Sequence, residues 1–255
     1  MEQETMKKGK VFICGAGPGD PKLMTLRAME LLKTCDVVLY DRLVGKEIID
    51  QIPARSEKAY VGRMVGDPTT HQDRTNKLMV KYTKKGKTVL RLKGGDPFIF
   101  GRGAEEAEYL IKHGIEFEIV PGITSSIASP AYAGIPLTHR QYSSSVAIVT
   151  GHEDAKKEKL VVRWDKLVDA VDTIVILMGI TELDQISHSL IKAGMKENIK
   201  VAIVASGTTD KQRIVKGTLG TIAKLTEKAD IRPPAVIVIG KVAGLSDKLH
   251  WFKRK

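Results

Sequence analysis

The sequence predicts an α/β protein made of two α/β domains, and three observations lead there. Short apolar runs alternate with helical patterns through the first half, the signature of a mainly parallel sheet of about five strands. In the second half two apolar runs are joined only by the polar loop Ser206-Gly207-Thr208-Thr209-Asp210. So short a connection implies an antiparallel pair, and hence a mixed sheet. The pattern changes at the extended connector Ile135-Pro136-Leu137-Thr138-His139-Arg140, which sets the domains at residues 1–138 and 139–255.

Composition narrows the class. A chain of 255 residues, 42% hydrophobic and 28% charged, can bury a large core. No apolar run approaches the ~20 residues of a membrane span. The start, Met1-Glu2-Gln3-Glu4-Thr5-Met6-Lys7-Lys8, carries no apolar export stretch, so a cytoplasmic protein is expected. Cys14 and Cys35 lack the paired spacing of a zinc site or disulfide framework and read as reduced core residues, and no metal is expected. The net charge of +11 suggests an anionic partner. There is no arginine-aromatic interleaving, lysines are scattered through predicted helices and loops, and the only dense tail run is Lys253-Arg254-Lys255, so an acidic small molecule is favoured over nucleic acid.

In chain order, a first strand at residues 10–14 ends in Gly15-Ala16-Gly17-Pro18-Gly19-Asp20-Pro21. Asp20 reads as a helix N-cap and Pro21 as the first helical position of a helix carrying Leu23, Met24, Ala28, Leu31 and Leu32. The sixth position of the dinucleotide fingerprint is Asp20 rather than glycine, and no Gly-Lys-Ser/Thr ending follows. The loop therefore supports neither a nicotinamide or flavin site nor an NTPase phosphate loop. The next strand, Val37-Val38-Leu39-Tyr40, runs into Asp41-Arg42-Leu43-Val44, which puts Asp41 at a strand's carboxyl end. A weaker strand at Ala59-Tyr60-Val61 leads to Gly62-Arg63, and His71 opens a helix with Leu78, Met79 and Tyr82.

The stretch Arg91-Leu92-Lys93-Gly94-Gly95-Asp96-Pro97-Phe98-Ile99-Phe100-Gly101-Arg102 is the feature around which the chain is organised. Apolar residues at 89, 90 and 92 end a buried strand, two glycines let the backbone turn, and Asp96 follows as an acceptor. An ordinary strand-to-helix turn would explain Gly-Gly-Asp alone. The loop's length, its Phe98 and Phe100, and the bracketing Arg91 and Arg102 point instead to a ligand site at the end of a parallel strand. A strand at 116–120 then leads to Pro121-Gly122-Ile123-Thr124-Ser125-Ser126 and a helix of small residues that Pro130 should kink. Apolar strands are expected at 146–149, 174–178, 201–204, 212–217 and 235–239.

The glycine-proline loop, Tyr40-Asp41-Arg42-Leu43-Val44, residues 91–102, Pro121-Gly122-Ile123-Thr124, Gly134-Ile135-Pro136-Leu137-Thr138-His139-Arg140, Thr150-Gly151-His152 and residues 240–249 resemble the tetrapyrrole methylase family nearly end to end. The Tyr-Asp-Arg-Leu-Val run, the Asp-Pro-Phe-Ile-Phe-Gly-Arg extension and the Leu-Thr-His-Arg connector are similar to members that methylate uroporphyrinogen III. The resemblance implies a homodimer, with S-adenosylmethionine in the cleft between two α/β domains and S-adenosylhomocysteine as product. By motif position, cofactor contacts would come from Pro18, Gly94, Gly95, Asp96, Ile99, Thr124, Ser125, Met178 and Gly207. The implied reaction methylates rings A and B, giving precorrin-2 by way of precorrin-1, for sirohaem and cobalamin.

Methyl transfer from a sulfonium is an in-line displacement that needs alignment and water exclusion, and a proton must later leave the macrocycle. By family position Asp41 is the base. Where the family often has a lysine regarded as a proton donor, this chain has Arg63, whose guanidinium can hold an anion but is a poor acid. Arg42, Arg140 and Arg213 suit capture of substrate carboxylates, against a reading as plain surface residues. His139 and His152 read as structural, a lone Met178 as core filler, and Ser246 replaces an arginine common in the family's tail. A later corrin intermediate as substrate, or a basic nucleotide- or RNA-binding module, are the alternatives.

Overall fold

The first five apolar runs pair as one parallel sheet: β1 (Val11–Gly15), β2 (Val37–Tyr40), β3 (Glu57–Tyr60), β4 (Val89–Lys93) and β5 (Phe117–Val120), in spatial order β3-β2-β4-β1-β5. A parallel sheet needs cover on both faces, and the period of two supplies it. Phe12, Cys14, Val38, Leu90 and Leu92 pack on Ala28, Leu31 and Leu32 of α1 (Leu26–Thr34) and Ile48 of α2 (Lys46–Ile49). On the other face Val11, Ile13, Val37, Leu39 and Val89 meet Met79 and Val80 of α3 (His71–Thr83) and Ala107 and Leu110 of α4 (Gly103–Lys112). The computed structural model describes residues 9–62, 71–152 and 162–253.

One helix starts later than its sequence suggested. Asp20 does accept from the Lys22 N–H with Pro21 at the first position, but the cap opens only a single 3-10 turn, Pro21–Leu23. Met24 is extended, and Thr25 caps α1 by accepting from the Ala28 N–H. Leu23 and Met24 therefore precede the helix they were expected to line. The second cap, Thr25 before an apolar-periodic run, was the overriding signal.

The second sheet holds β6 (Val146–Thr150), β7 (Thr173–Leu177), β8 (Lys200–Ala205), β9 (Arg213–Thr218) and β10 (Ala235–Ile239), in order β6-β7-β10-β8-β9. Only β6 and β7 are parallel; β7–β10, β10–β8 and β8–β9 are antiparallel, as the short loop between β8 and β9 required. One face buries Leu183, Ile186 and Leu190 of α7 (Leu183–Lys192) and Ile222 of α8 (Ile222–Lys228), with Trp164 and Leu167 of α6 (Trp164–Ala170) beside them.

The chain divides into two compact units, Met1–Thr124 and Ser125–Lys255. The division falls ahead of the 138/139 junction expected from the pattern change, because α5 (Ser125–Tyr132), with Pro130 inside it, packs on β7, β8 and β10. The chain's end also holds α5 in place. Ser246, at the start of α9 (Ser246–Leu249), is 2% exposed, and its hydroxyl donates to the Ala133 carbonyl at 2.7 Å. The Trp251 indole donates to the Ala131 carbonyl at 2.9 Å. This gives Ser246 a structural role. Ser246→Ala should cost roughly 1–3 kcal/mol in urea unfolding by leaving a buried carbonyl without its donor. Ser246→Arg should cost more, and a fully stable arginine variant would contradict this placement.

Candidate active site

Three loops converge at the carboxyl ends of β1, β4 and β5. Gly17 donates to the Gly95 carbonyl at 3.2 Å and Gly95 donates back to Gly17 at 2.7 Å, while the Ala16 N–H donates to the Lys93 carbonyl at 2.7 Å. A Cβ on Gly15 would sit 2.6 Å from the Gly122 α-carbon, so only glycine permits this approach. Gly95 also takes a left-handed φ of +69°. Asp96 binds the loops together. Its Oδ1 accepts the N–H groups of Phe98 and Ile99 at 2.8 and 3.2 Å, and its Oδ2 accepts the Gly122 N–H at 3.0 Å. Asp96 thus serves the loop itself before any ligand.

Around this junction the first unit presents Leu43, Phe98, Ile99 and Phe100 as exposed large apolar side chains. Phe100 and Arg102 carry positive φ values of 53° and 59°, a strained backbone for such residues. Arg102 is exposed and pairs with Glu105, whereas its bracketing partner Arg91 points inward.

Arg91 lies in a buried ionic cluster that the sequence pattern did not identify. Its guanidinium donates to Asp41 Oδ1 at 2.8 Å and to Glu106 Oε1 at 2.9 Å. Lys93 Nζ lies 3.0 Å from Glu106 Oε1 and 3.8 Å from Asp41 Oδ2, and Gln72 donates to Glu106 Oε1 at 3.0 Å. Glu106 is wholly buried, Arg91 and Lys93 nearly so, and the Asp41 side chain is 26% exposed. The signal was present in Val89-Leu90-Arg91-Leu92-Lys93: two cations two residues apart on a central strand must find carboxylates or stay unfolded.

The electrostatics follow from that burial. Burial works to raise the Glu106 carboxyl, but Arg91 and Lys93 outweigh it and hold it below the ordinary glutamate range. Burial, with Arg91 adding to it, pushes the Lys93 ammonium below the lysine range against the pull of Glu106 and Asp41. For Arg91 burial is outweighed by Glu106 and Asp41, which raise it. Burial also lifts the thiols of Cys14 and Cys35, to about 12 and about 11, as suits inert core cysteines.

The other expected site residues divide. Pro18 sits in the β1 loop, half-buried, and Gly94 lies against Leu43. Thr124 is buried and Ser125 opens α5. Met178 is 51% exposed with a left-handed φ of 56°, the opposite of a core filler. Gly207 is buried between Ser206 and Thr208, both with positive φ, and packs against Ser129 of α5. Arg42 and Arg140 are exposed. Arg213 spends its guanidinium on the carbonyls of Ala229 and Asp230, at 2.5 and 3.4 Å, past the end of α8. His139 stacks on Tyr142 and accepts from the Gln141 N–H, and His152 bonds through its backbone to Thr150. Arg63 lies outside the described residues.

Residues 10–223 match the tetrapyrrole (corrin/porphyrin) methylases. The chain is 49% identical over 241 residues to an S-adenosyl-L-methionine-dependent uroporphyrinogen III methyltransferase of Methanosarcina barkeri, covering 94% of each. It is 47% identical to a siroheme synthase of Methylobacillus flagellatus over 96% of this chain and 52% of that protein. A crystal structure of uroporphyrin-III C-methyl transferase from Thermus thermophilus, complexed with S-adenyl homocysteine, superposes with a TM-score of 0.80 at 38% identity, covering 93% of this chain and 100% of that one. This chain belongs to the tetrapyrrole methylase family.

Two measurements test the site's construction. Asp96→Asn should lower stability by roughly 1.5–3 kcal/mol, since a charged acceptor of three N–H groups becomes a half-donor; an unchanged urea midpoint would contradict the clamp. Glu106, held below its ordinary range when folded, contributes stability that is present above that range and lost as the pH falls beneath it. The urea midpoint of Glu106→Gln should therefore fall less steeply in acid than that of the wild type, and parallel acid slopes would count against the buried carboxylate.

Proposed function

We propose that this protein transfers methyl groups from S-adenosylmethionine to carbon atoms of uroporphyrinogen III, first to precorrin-1 and then to precorrin-2, on rings A and B. The observation that carries it is the near end-to-end likeness to a uroporphyrinogen III methyltransferase, together with the glycine junction at the carboxyl ends of β1, β4 and β5. The product would enter sirohaem synthesis, which the siroheme synthase likeness supports, and the cobalamin branch. A homodimer belongs to the same reading.

The residues present suit the cofactor. The glycine junction keeps side chains away from the loop backbones, and Leu43, Phe98 and Ile99 offer apolar surface beside it. Pro18, Gly94, Gly95, Asp96, Ile99, Thr124, Ser125, Met178 and Gly207 would hold it. Bound there, S-adenosylmethionine supplies a methyl group on a positively charged sulfur. Asp41 would take the proton that the methylated macrocycle must lose, since a carboxylate at a strand's carboxyl end is placed for it. Arg42 and Arg140, exposed arginines, would hold substrate carboxylates. Arg213 is a weaker candidate because α8 already occupies it.

S-adenosylhomocysteine should raise the melting temperature, whereas RNA or NAD should not; stabilisation by RNA instead would favour a nucleic-acid module. Asp41→Asn should lower turnover about a hundredfold or more with S-adenosylhomocysteine affinity preserved. Wild-type turnover in that variant at a normal melting temperature would remove Asp41 from the chemistry. Arg140→Ala should raise KM for the porphyrinogen and leave cofactor affinity alone, and equal losses for both ligands would indicate a damaged fold.

A further inference from the structure

The two oxygens of Asp41 are not equivalent. Oδ1 accepts the Arg91 guanidinium at 2.8 Å. Oδ2 faces Lys93 Nζ at 3.8 Å, beyond hydrogen-bond reach, and accepts no hydrogen bond among the described residues. Behind this pair, Glu106 Oε1 alone receives Arg91, Lys93 and Gln72, while Glu106 Oε2 has no partner among the described residues. Arg91 and Lys93 leave β4 in the same direction, two residues apart, and α4 brings Glu106 beneath both.

Such an arrangement does more than neutralise charge. Two cations balance two carboxylates, but the bonds are shared unequally: Arg91 and Lys93 both bond Glu106, whereas Asp41 is bonded by Arg91 alone and through one oxygen. Turning the Asp41 carboxylate would forfeit the Arg91 bond, so its orientation is fixed from below. The Lys93 ammonium stands 3.8 Å from Oδ2 without occupying its lone pairs.

We infer that Arg91, Lys93 and Glu106 are positioning residues for the methyl transfer, anchoring Asp41 through Oδ1 and leaving Oδ2 as the oxygen that takes the proton. The inference rests on the base role proposed above for Asp41. In the step concerned, the ring carbon has bonded the methyl group, the methyl–sulfur bond has broken, and the sulfur has become neutral, so the positive charge sits on the ring. A C–H bond of the methylene bridge beside that ring then breaks, its electron pair forms a double bond to the ring and discharges it, and the proton goes to Oδ2 and on to water. Among the described residues, the charged groups facing Asp41 are Arg91 and Lys93 from β4, backed by Glu106 from α4, which bonds both cations, and by uncharged Gln72 from α3, which bonds Glu106. The phenols of Tyr40 and Tyr60 lie at the neighbouring ends of β2 and β3.

The test uses the full chain with Lys93→Met, Lys93→Arg, Glu106→Gln and Asp41→Asn, measuring kcat across pH, S-adenosylhomocysteine affinity by calorimetry and stability in urea. Lys93→Met should lower kcat about tenfold or more, with cofactor affinity within about twofold, and should move the acid limb of the kcat profile to higher pH. Glu106→Gln removes an anion beside the same cations and should move that limb to lower pH. Lys93→Arg keeps the charge and should restore the limb and most of the rate. Limbs that stay put, that move the same way in both variants, or a rate that falls together with cofactor affinity would overturn the inference. If Glu106→Gln does not fold, the two Lys93 variants decide. Asp41→Asn at wild-type rate would sink the base role itself, whereas an inactive Asp41→Asn with an unmoved limb in Lys93→Met would sink only this inference.

Discussion

The first unit depends on a constraint set by one strand. β4 lies between β2 and β1 in a sheet covered on both faces, yet its sequence places Arg91 and Lys93 on the face beneath α3 and α4. Two buried cations there require carboxylates within reach, and Glu106 from α4 and Asp41 from the end of β2 provide them. The same contacts therefore fix where α4 docks, how β2 ends and which way Asp41 faces. A hydrophobic pair at 91 and 93 would hold the sheet as well and would leave Asp41 unheld.

The glycine junction is the complementary constraint on the other side of the strand ends. Close approach among Gly15, Gly95 and Gly122 is possible only without side chains, and Asp96 spends its carboxylate on keeping the β4 and β5 loops in register. One set of contacts thus positions a charged group and the other opens backbone and apolar surface beside it. Both sit at the carboxyl ends of parallel strands, where such sheets present ligand sites.

Much of this was legible in the sequence, for identifiable reasons. Strands of β-branched residues, turn glycines and the short β8–β9 loop report local physics, so the parallel first sheet and mixed second sheet could be read directly. What needed the structure was mostly non-local. The Thr25 cap that displaced the helix start from Pro21 is a local signal that Asp20-Pro21 masked, whereas α5 joined the second sheet because its partners lie far along the chain. The Arg91–Glu106–Lys93 cluster was hidden for the same reason: the charges showed in the pattern, but their partners were 13 and 15 residues away on another element. Arg213, which read as a carboxylate ligand, closes the end of α8, and Met178, expected as a cofactor contact with core filler as the alternative, is exposed on strained backbone.

Carbon methylation of a tetrapyrrole is the central claim. Its most direct test is mass spectrometry of the product formed from uroporphyrinogen III and S-adenosylmethionine carrying a deuterated methyl group. The predicted product carries two labelled methyl groups, both bonded to ring carbon, and appears after a singly labelled intermediate. A product without label, or with label on carboxylate oxygen, would contradict it.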